Sequence, residues 1–208
     1  MNWSEFFRGV PLVAILRGLT VGEAAPVGAA LIESGFSCAE VTLKSPDPLE
    51  CIGILQREFG DRLLIGAGTV LTEGEVAQVA GQGGRIIISP NADPAVIRAT
   101  KRHGLISFPA FSTPGEAFTA LQAGADALKL FPAEASNPRA LKAVRAVLPA
   151  TVPIFPVGGI DAASMASWRA AGASGFGIGG SLYQPGRSAE DVRERAKALV
   201  RAWRESEA

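Results

Sequence analysis

Short apolar runs recur about every 22 residues along the chain and alternate with longer stretches of mixed polarity. Each run is rich in Val, Ile, Leu or Phe and is bounded by Gly, Pro, Asn or Ser, as buried strands usually are. Eight such runs occupy residues 10–17, 38–44, 63–70, 85–90, 105–110, 127–131, 152–157 and 175–179. Continuously apolar strands are typical of a sheet covered on both faces, so we expect parallel strands.

The stretches between the runs have helical spacing and carry capping signals at both ends. Thr113 and Glu116 have the spacing of a capping box, with Pro114 at the first helical position. Thr72 and Glu75 repeat this box. A left-handed glycine is expected just after a helix, which fits Gly35, Gly83, Gly104, Gly124 and Gly172.

Eight strand–helix units predict a single (β/α)8 (TIM) barrel domain that spans residues 1–208, with no linker and no second domain. In this arrangement residues 188–205 form the eighth outer helix, and residues 2–7 form a short helix that closes the bottom of the barrel. An open doubly wound sheet is the alternative. It is disfavoured because no GxGxxG motif follows the first run.

Composition and charge exclude several classes of function. The 20 Lys and Arg residues balance the 20 Asp and Glu residues, and no basic cluster occurs, so we expect no nucleic-acid partner. No stretch of 18 apolar residues exists, and the N-terminus does not resemble a signal peptide, so we expect no membrane span. With only Cys38 and Cys51 as cysteines, a reducing cytoplasm is the expected location.

Lys129 is the strongest chemical signal in the sequence. Of the five lysines, Lys101, Lys142 and Lys197 fall on predicted helices, whereas Lys129 lies inside an apolar run. Burial lowers the pKa of a lysine, and an unprotonated lysine can attack a carbonyl to form a Schiff base. The alternative is a lysine paired with a carboxylate to stabilise the barrel, and the spacing alone does not decide between the two.

Three further side chains interrupt the strand ends. Glu40 lies among apolar or small residues, and if it is buried there its raised pKa would suit proton transfer. The alternative is that Glu40 only neutralises Lys129 or Arg17. Arg17 suits a carboxylate or phosphate, or forms a structural salt bridge. Thr69 can hydrogen-bond a small carboxylate. Strand alternation predicts that Glu40, Thr42 and Lys44 share one face.

Two glycine-rich segments end the last two runs. Val157, Gly158 and Gly159 follow the seventh run, and the eighth ends in Gly179, Gly180 and Ser181. Barrels often bind phosphate there through backbone N–H groups, and this location favours phosphate over the alternative of tight turns with positive φ.

No HExxH motif, Cys/His cluster or carboxylate quartet appears, so the sequence indicates no metal site. The single histidine, His103, falls at a predicted helix end, where a structural role is expected.

Seven motifs in order along the chain carry a resemblance to a known family: ILRG, AEVTL, GAGTV, ISPN, LKLFPAE, PVGGI and GIGGSL. Over about residues 10–183 the chain resembles the 2-keto-3-deoxy-6-phosphogluconate/galactonate aldolases. The resemblance implies a class I, metal-independent lyase on a (β/α)8 barrel, with no cofactor, usually a homotrimer. Its small-molecule partner would be a keto-acid phosphate, cleaved into pyruvate and D-glyceraldehyde 3-phosphate.

The resemblance also implies roles for individual residues. Lys129 would be the Schiff-base lysine and Glu40 the proton shuttle. Arg17 and Thr69 would hold the pyruvyl carboxylate region, and Pro90 and Phe131 would line the pocket. The phosphate would lie in a cradle of Gly158, Gly159, Gly179, Gly180 and Ser181.

The type of substrate depends on a few positions. Val157 stands where the galactonate type has valine and the gluconate type has threonine, so the sequence is closest to the 2-dehydro-3-deoxy-6-phosphogalactonate type. The Phe-Pro-Ala-Glu segment is more similar to the gluconate type, which has arginine in place of Lys44. The gluconate aldolase is therefore one alternative. The two glycine-rich ends leave a second, a phosphate-binding barrel isomerase of sugar phosphates, and a non-catalytic binding protein that retains the barrel is the third.

Overall fold

Parallel strands and helices alternate along the chain in the computed structural model, which describes Phe7 and residues 10–206. The strands within this part are β1 (Val10–Leu16), β2 (Phe36–Thr42), β3 (Leu64–Gly68), β4 (Ile86–Ile88), β5 (Ile106–Phe108), β6 (Ala110–Phe111), β7 (Leu128–Leu130), β8 (Ile154–Pro156) and β9 (Phe176–Ile178). The helices are α1 (Val21–Glu33), α2 (Pro48–Phe59), α3 (Glu73–Gly81), α4 (Pro94–Arg102), α5 (Pro114–Ala123), α6 (Pro138–Arg145), α7 (Met165–Ala170) and α8 (Ala189–Glu205).

The strands form a curled parallel sheet in two hydrogen-bonded parts. Six strands lie in the order β5-β4-β3-β2-β1-β9, and three lie in the order β6-β7-β8. The chain passes directly from β5 to β6 through Pro109, and an isolated parallel bridge joins Val157 to Gly177 of β9. The prediction of an α/β fold with parallel strands is therefore confirmed.

The fifth predicted strand, at residues 105–110, is wrong as a single element. It consists of β5 and β6, which pair with different neighbours, β4 and β7. Pro109 lies between them and has no backbone N–H to donate to a ladder. Its carbonyl still accepts a hydrogen bond from the Lys129 N–H at 2.9 Å.

The helix ends follow the sequence signals closely. Both predicted capping boxes are present, and Gly35, Gly83, Gly104, Gly124 and Gly172 all have positive φ. Ser188 caps α8 by accepting a hydrogen bond from the Asp191 N–H. The predicted helix at residues 2–7 lies outside the described residues except for Phe7. None of the described helices is long and apolar enough to cross a membrane.

Strand alternation separates two apolar clusters and decides which side chains point inward. Leu128 and Leu130 belong to the outer cluster, between strands and helices, whereas Ala127 belongs to a smaller cluster enclosed by the strands. Lys129 therefore points into the enclosed space. Cys38 is in the inner cluster while Ala39 and Val41 are in the outer one, so Glu40 points inward as well.

Candidate active site

Lys129 and Glu40 meet in the space enclosed by the strands. Only 7% of Lys129 and 2% of Glu40 is exposed to solvent. Together they line an inner void of about 10 Å³, which is close to the room that one water molecule needs. The rest of this void is lined by Val13, Ile15, Ile88, Phe108, Val157 and Gly177. A lysine and a carboxyl group thus share an otherwise apolar compartment.

The two groups are neighbours without being bonded to each other. No ion pair within 4.0 Å joins them among the described residues, and the buried Oε2 of Glu40 has no hydrogen-bond partner. Burial lowers the pKa of Lys129, although Glu40 opposes this shift, and Arg17 adds to it. Burial also raises the pKa of Glu40, against the attraction of Lys129 and Arg17. Both shifts favour neutral groups, an unprotonated amine and a protonated carboxyl.

A larger cavity of about 550 Å³ lies directly beside this inner void. The two spaces share Ile15, Val157 and Gly177 in their walls. Phe131 lines the larger cavity, and the Lys129 Nζ lies 4.7 Å from the centre of its ring. The amine is therefore one side-chain layer below a space large enough for a small ligand.

Arg17 follows β1 and lines the large cavity as an exposed side chain. Its backbone is held on both sides by the hydroxyl of Ser45, which lies just after β2. Ser45 Oγ accepts from the Gly18 N–H at 2.8 Å and donates to the Leu16 carbonyl at 3.3 Å. Thr42 Oγ1 lies 3.1 Å from the same hydroxyl. One buried serine thus connects the ends of two neighbouring strands around Arg17.

Four of the five glycines that line the large cavity form two pairs with different backbone conformations. Gly158 and Gly159 have φ values of 113° and 64°, so a side chain there would strain the backbone. Gly179 and Gly180 have no such conformation, and an added Cβ would meet nothing within 4 Å at Gly179 and only the Gln184 amide nitrogen, at 3.6 Å, at Gly180. Packing inside the described protein gives no reason for glycine at these two positions. Their open face is the wall of the cavity.

Comparison with known proteins shows the family of the chain. The family model "Aldolase: KDPG and KHG aldolase" matches residues 4–197 of the chain. The chain belongs to the KDPG and KHG aldolase family. It is 48% identical over 193 residues to a probable 2-dehydro-3-deoxy-6-phosphogalactonate aldolase of Rhizobium meliloti (strain 1021), covering 93% of this chain and 91% of the relative.

Two solved structures place the fold of this aldolase family member in context. One, described as a native KDPGal structure, has a TM-score of 0.95 and 42% identity, and the match covers 99% of this chain and 98% of the other. The second is a KDPG aldolase of Legionella pneumophila with pyruvate captured as a covalent carbinolamine intermediate. It has a TM-score of 0.79 and 27% identity, over 95% of this chain and 94% of the other.

Three residues singled out in the sequence lie apart from both spaces of this aldolase. Thr69, with φ of 61°, and Pro90 are half-buried after β3 and β4, and neither lines the large cavity or the inner void. The prediction that Lys44 shares a strand face with Glu40 and Thr42 is wrong, because β2 ends at Thr42 and Lys44 is exposed in the following turn.

Sequence reasoning missed several residues that shape the site. A Cβ at Gly68 would lie 2.3 Å from the Glu40 Oε2, so this glycine of β3 makes room for the carboxyl group. The side chain of Glu134 covers the Gly158 and Gly159 backbone and lines the large cavity. The GAG segment could have drawn attention to Gly68. Ser45 and Glu134 contact residues that are distant in sequence, and no local pattern indicates those contacts.

Proposed function

We propose that the protein is a class I aldolase that cleaves 2-dehydro-3-deoxy-6-phosphogalactonate into pyruvate and D-glyceraldehyde 3-phosphate through a Schiff base on Lys129. One observation carries the proposal. A buried lysine with a lowered pKa lies beside a carboxyl group that has an unpartnered oxygen, in a compartment next to a large cavity. A lysine that only balanced a charge would be expected to form an ion pair with that carboxyl group.

The chemistry needs one amine and one carboxyl group. Lys129 Nζ attacks the C2 ketone, and the protonated Glu40 gives its proton to the carbinolamine hydroxyl, which leaves as water, so that an iminium ion and a Glu40 carboxylate result. The C3–C4 bond then breaks, its electrons form an enamine, and the C4 hydroxyl loses its proton as the aldehyde leaves. Glu40 accepts that proton directly or through a water molecule and returns one to the enamine carbon. Addition of water to the iminium ion releases pyruvate and regenerates the amine, and the proton set free returns to Glu40.

The other residues would bind the two ends of the substrate. Arg17 lines the cavity and lies close enough to change the pKa of Lys129 and Glu40, as expected of a group that holds the pyruvyl carboxylate. Phe131 would border the pocket. Thr69 and Pro90 line neither space, so we assign them no contact with the substrate. Backbone N–H groups at Gly158, Gly159, Gly179, Gly180 and Ser181 would hold the phosphate.

The galactonate epimer is supported by Val157. This buried side chain lines both the inner void and the large cavity, so an apolar group faces the region between the amine and the glycine cradle. A substrate hydroxyl that requires a threonine partner would be left unpaired there, which is unfavourable. Two of the three relatives quoted above, the Rhizobium meliloti protein and the native KDPGal structure, have galactonate-type names.

Trapping with borohydride tests the Schiff base. Incubation with pyruvate and borohydride should add one reduced pyruvyl group to Lys129, located by peptide mass spectrometry. Lys129→Met should not be labelled. Lys44→Met, which removes an exposed lysine in the turn after β2, should be labelled like the unchanged protein. An unmodified Lys129 at saturating pyruvate would contradict the proposal. Turnover of a sugar phosphate without pyruvate formation would favour an isomerase instead.

Parallel assays of the two epimers test the substrate. We expect a higher kcat/KM for the galactonate-type keto acid, and Val157→Thr should shift the ratio towards the gluconate type. A preference for the gluconate type in the unchanged protein would overturn the assignment but leave the Schiff-base chemistry intact.

We also infer that the strands close into a single-domain (β/α)8 barrel that assembles as a homotrimer in the cytoplasm. The bridge from Val157 to Gly177 and the continuation of β5 into β6 support closure, and the two free, buried cysteines suit a reducing compartment. The trimer is expected from the family resemblance. Light scattering should give three times the chain mass of 21.5 kDa.

A further inference from the structure

The loop at residues 179–182 contributes part of the wall of the large cavity and is held from behind by Arg187. The Nη1 of Arg187 donates to the carbonyl oxygens of Gly180 at 3.1 Å and Leu182 at 2.8 Å. The Nε of Arg187 lies 3.0 Å from Asp191 Oδ2, one turn into α8. Only 12% of the Arg187 side chain is exposed, so this guanidinium is fixed in place. Arg187 itself does not line the cavity.

The direction of one peptide group follows from this contact. The Gly180–Ser181 peptide is trans, and in a planar trans peptide the C=O and N–H bonds point in opposite directions. Because the Gly180 carbonyl points to Arg187, the Ser181 N–H points to the opposite side, where Gly180 and Ser181 line the cavity. No acceptor for the Ser181 N–H exists among the described residues. An oxygen atom of a bound ligand would give the Ser181 N–H its hydrogen-bond acceptor.

The positive charge of Arg187 also favours binding of an anion by the Ser181 N–H. A cation bonded to a carbonyl polarises the peptide and makes the N–H on its far side a stronger donor. A half-buried charge is also screened by salt less than an exposed one. Asp191 keeps the guanidinium in one orientation, so the effect is built into the fold before any ligand arrives.

We propose that Arg187 is a positioning residue for the phosphate subsite, which it serves by aiming the Ser181 N–H at the cavity without touching the substrate. This rests on the proposed function, in which the phosphate of the substrate lies against these glycines. The guanidinium fork suits the task because it bonds two carbonyls and a carboxylate at once, which a lysine cannot do with the same geometry.

Kinetics of Arg187→Gln test the proposal. We expect KM for the phosphorylated keto acid and Ki for inorganic phosphate to rise about tenfold, since each is a measure of anion binding. The KM of the unphosphorylated keto acid and the pyruvate concentration for half-maximal trapping on Lys129 should stay within about twofold. Arg187→Lys, which keeps the charge and loses the fork, should recover only part of the phosphate affinity.

Arg195→Gln is the matched control. Arg195 bonds to the same Asp191 carboxylate, at 3.0 and 3.1 Å, but forms no hydrogen bond with the 179–182 loop among the described residues. It should bind phosphate and substrate like the unchanged protein, which separates the loop contact from a general effect of removing a charge near α8. If Arg187→Gln does not fold, Arg187→Lys and Asp191→Asn serve in its place, with the same expected direction.

Two results would overturn the positioning role. One is an unchanged Ki for inorganic phosphate in every folded Arg187 variant. The other is an equal rise of KM for the phosphorylated and unphosphorylated keto acids, which indicates general damage. Failure of the proposed function would appear differently, as absent pyruvate trapping and absent pyruvate formation in the unchanged protein.

Discussion

In the proposed mechanism, Glu40 is the one carboxyl group that transfers protons. Glu40→Gln keeps the size and packing of this side chain against Gly68 and removes its ability to accept a proton. We expect turnover to fall by about 10²–10⁴ with an unchanged circular dichroism spectrum. Near-normal pyruvate formation in this variant would remove Glu40 from the mechanism.

Ser45 offers a second test, because its hydroxyl holds the backbone on both sides of Arg17. Loss of a hydrogen bond costs about 0.5–1.5 kcal/mol, so Ser45→Ala should raise the pyruvate concentration for half-maximal trapping by roughly two- to tenfold. In an Arg17→Gln background the same substitution should have little further effect. Ser34→Ala is the control, since the Ser34 hydroxyl is similarly buried and bonds the Ala30 and Arg193 carbonyls at the end of α1.

The candidate site residues that the sequence alone could single out are those that differ from their immediate neighbours along the chain. Lys129 and Glu40 are ionisable residues inside apolar runs. Strand alternation places both on the inner face once their neighbours are assigned to the inner or the outer apolar cluster. Ser45 and Arg187 act through hydrogen bonds to residues of other elements, and nothing in their local sequence indicates those partners. Thr69 follows Gly66 and Gly68, but these glycines make room for the Ile86 backbone and the Glu40 carboxyl group rather than for a ligand of Thr69.

Helix α5 illustrates how far local signals determine an element. Thr113 Oγ1 accepts from the Glu116 N–H, and the Glu116 carboxylate accepts from the Thr113 N–H at 2.8 Å. Thr113→Ala should lower the free energy of unfolding by about 0.5–2 kcal/mol, measured by urea denaturation. Thr119→Ala is the control, because this exposed threonine of the same helix only bonds back to Gly115 and should change stability little. Equal losses in both variants would contradict the capping role.

Strand limits were harder to predict than helix limits because they depend on neighbours. Helix caps are satisfied within four or five residues, so the sequence contains both partners of each bond. A strand ends where its neighbour stops pairing, as β2 does at Thr42, two residues before the apolar run finishes. Pro109 was visible within its run, but the change of partner from β4 to β7 there is a property of the sheet.

The buried lysine and carboxyl group also reduce the stability of the folded chain near neutral pH. The pKa of Glu40 is raised above 4.5, so its stabilising contribution is present below 4.5 and is lost as pH rises through the folded pKa. The pKa of Lys129 is lowered below 10.5, so its contribution is present above 10.5 and is lost as pH falls through the folded pKa. Between these limits both groups oppose folding, each because burial disfavours its charged form.

Replacing both groups by uncharged ones of similar size should therefore stabilise the protein while abolishing turnover. We expect Lys129→Met/Glu40→Gln to unfold with a free energy about 1–4 kcal/mol higher at pH 7. Denaturant titrations from pH 4 to pH 10 should show the gain to be largest in the middle of the range and smaller towards both ends. Lys101→Met/Asp126→Asn is the control, because this exposed ion pair also holds the Ser107 N–H and its removal should lower stability. A double variant at positions 129 and 40 that is less stable at every pH would mean that the pair stabilises the fold, and the functional interpretation of Lys129 would lose its physical basis.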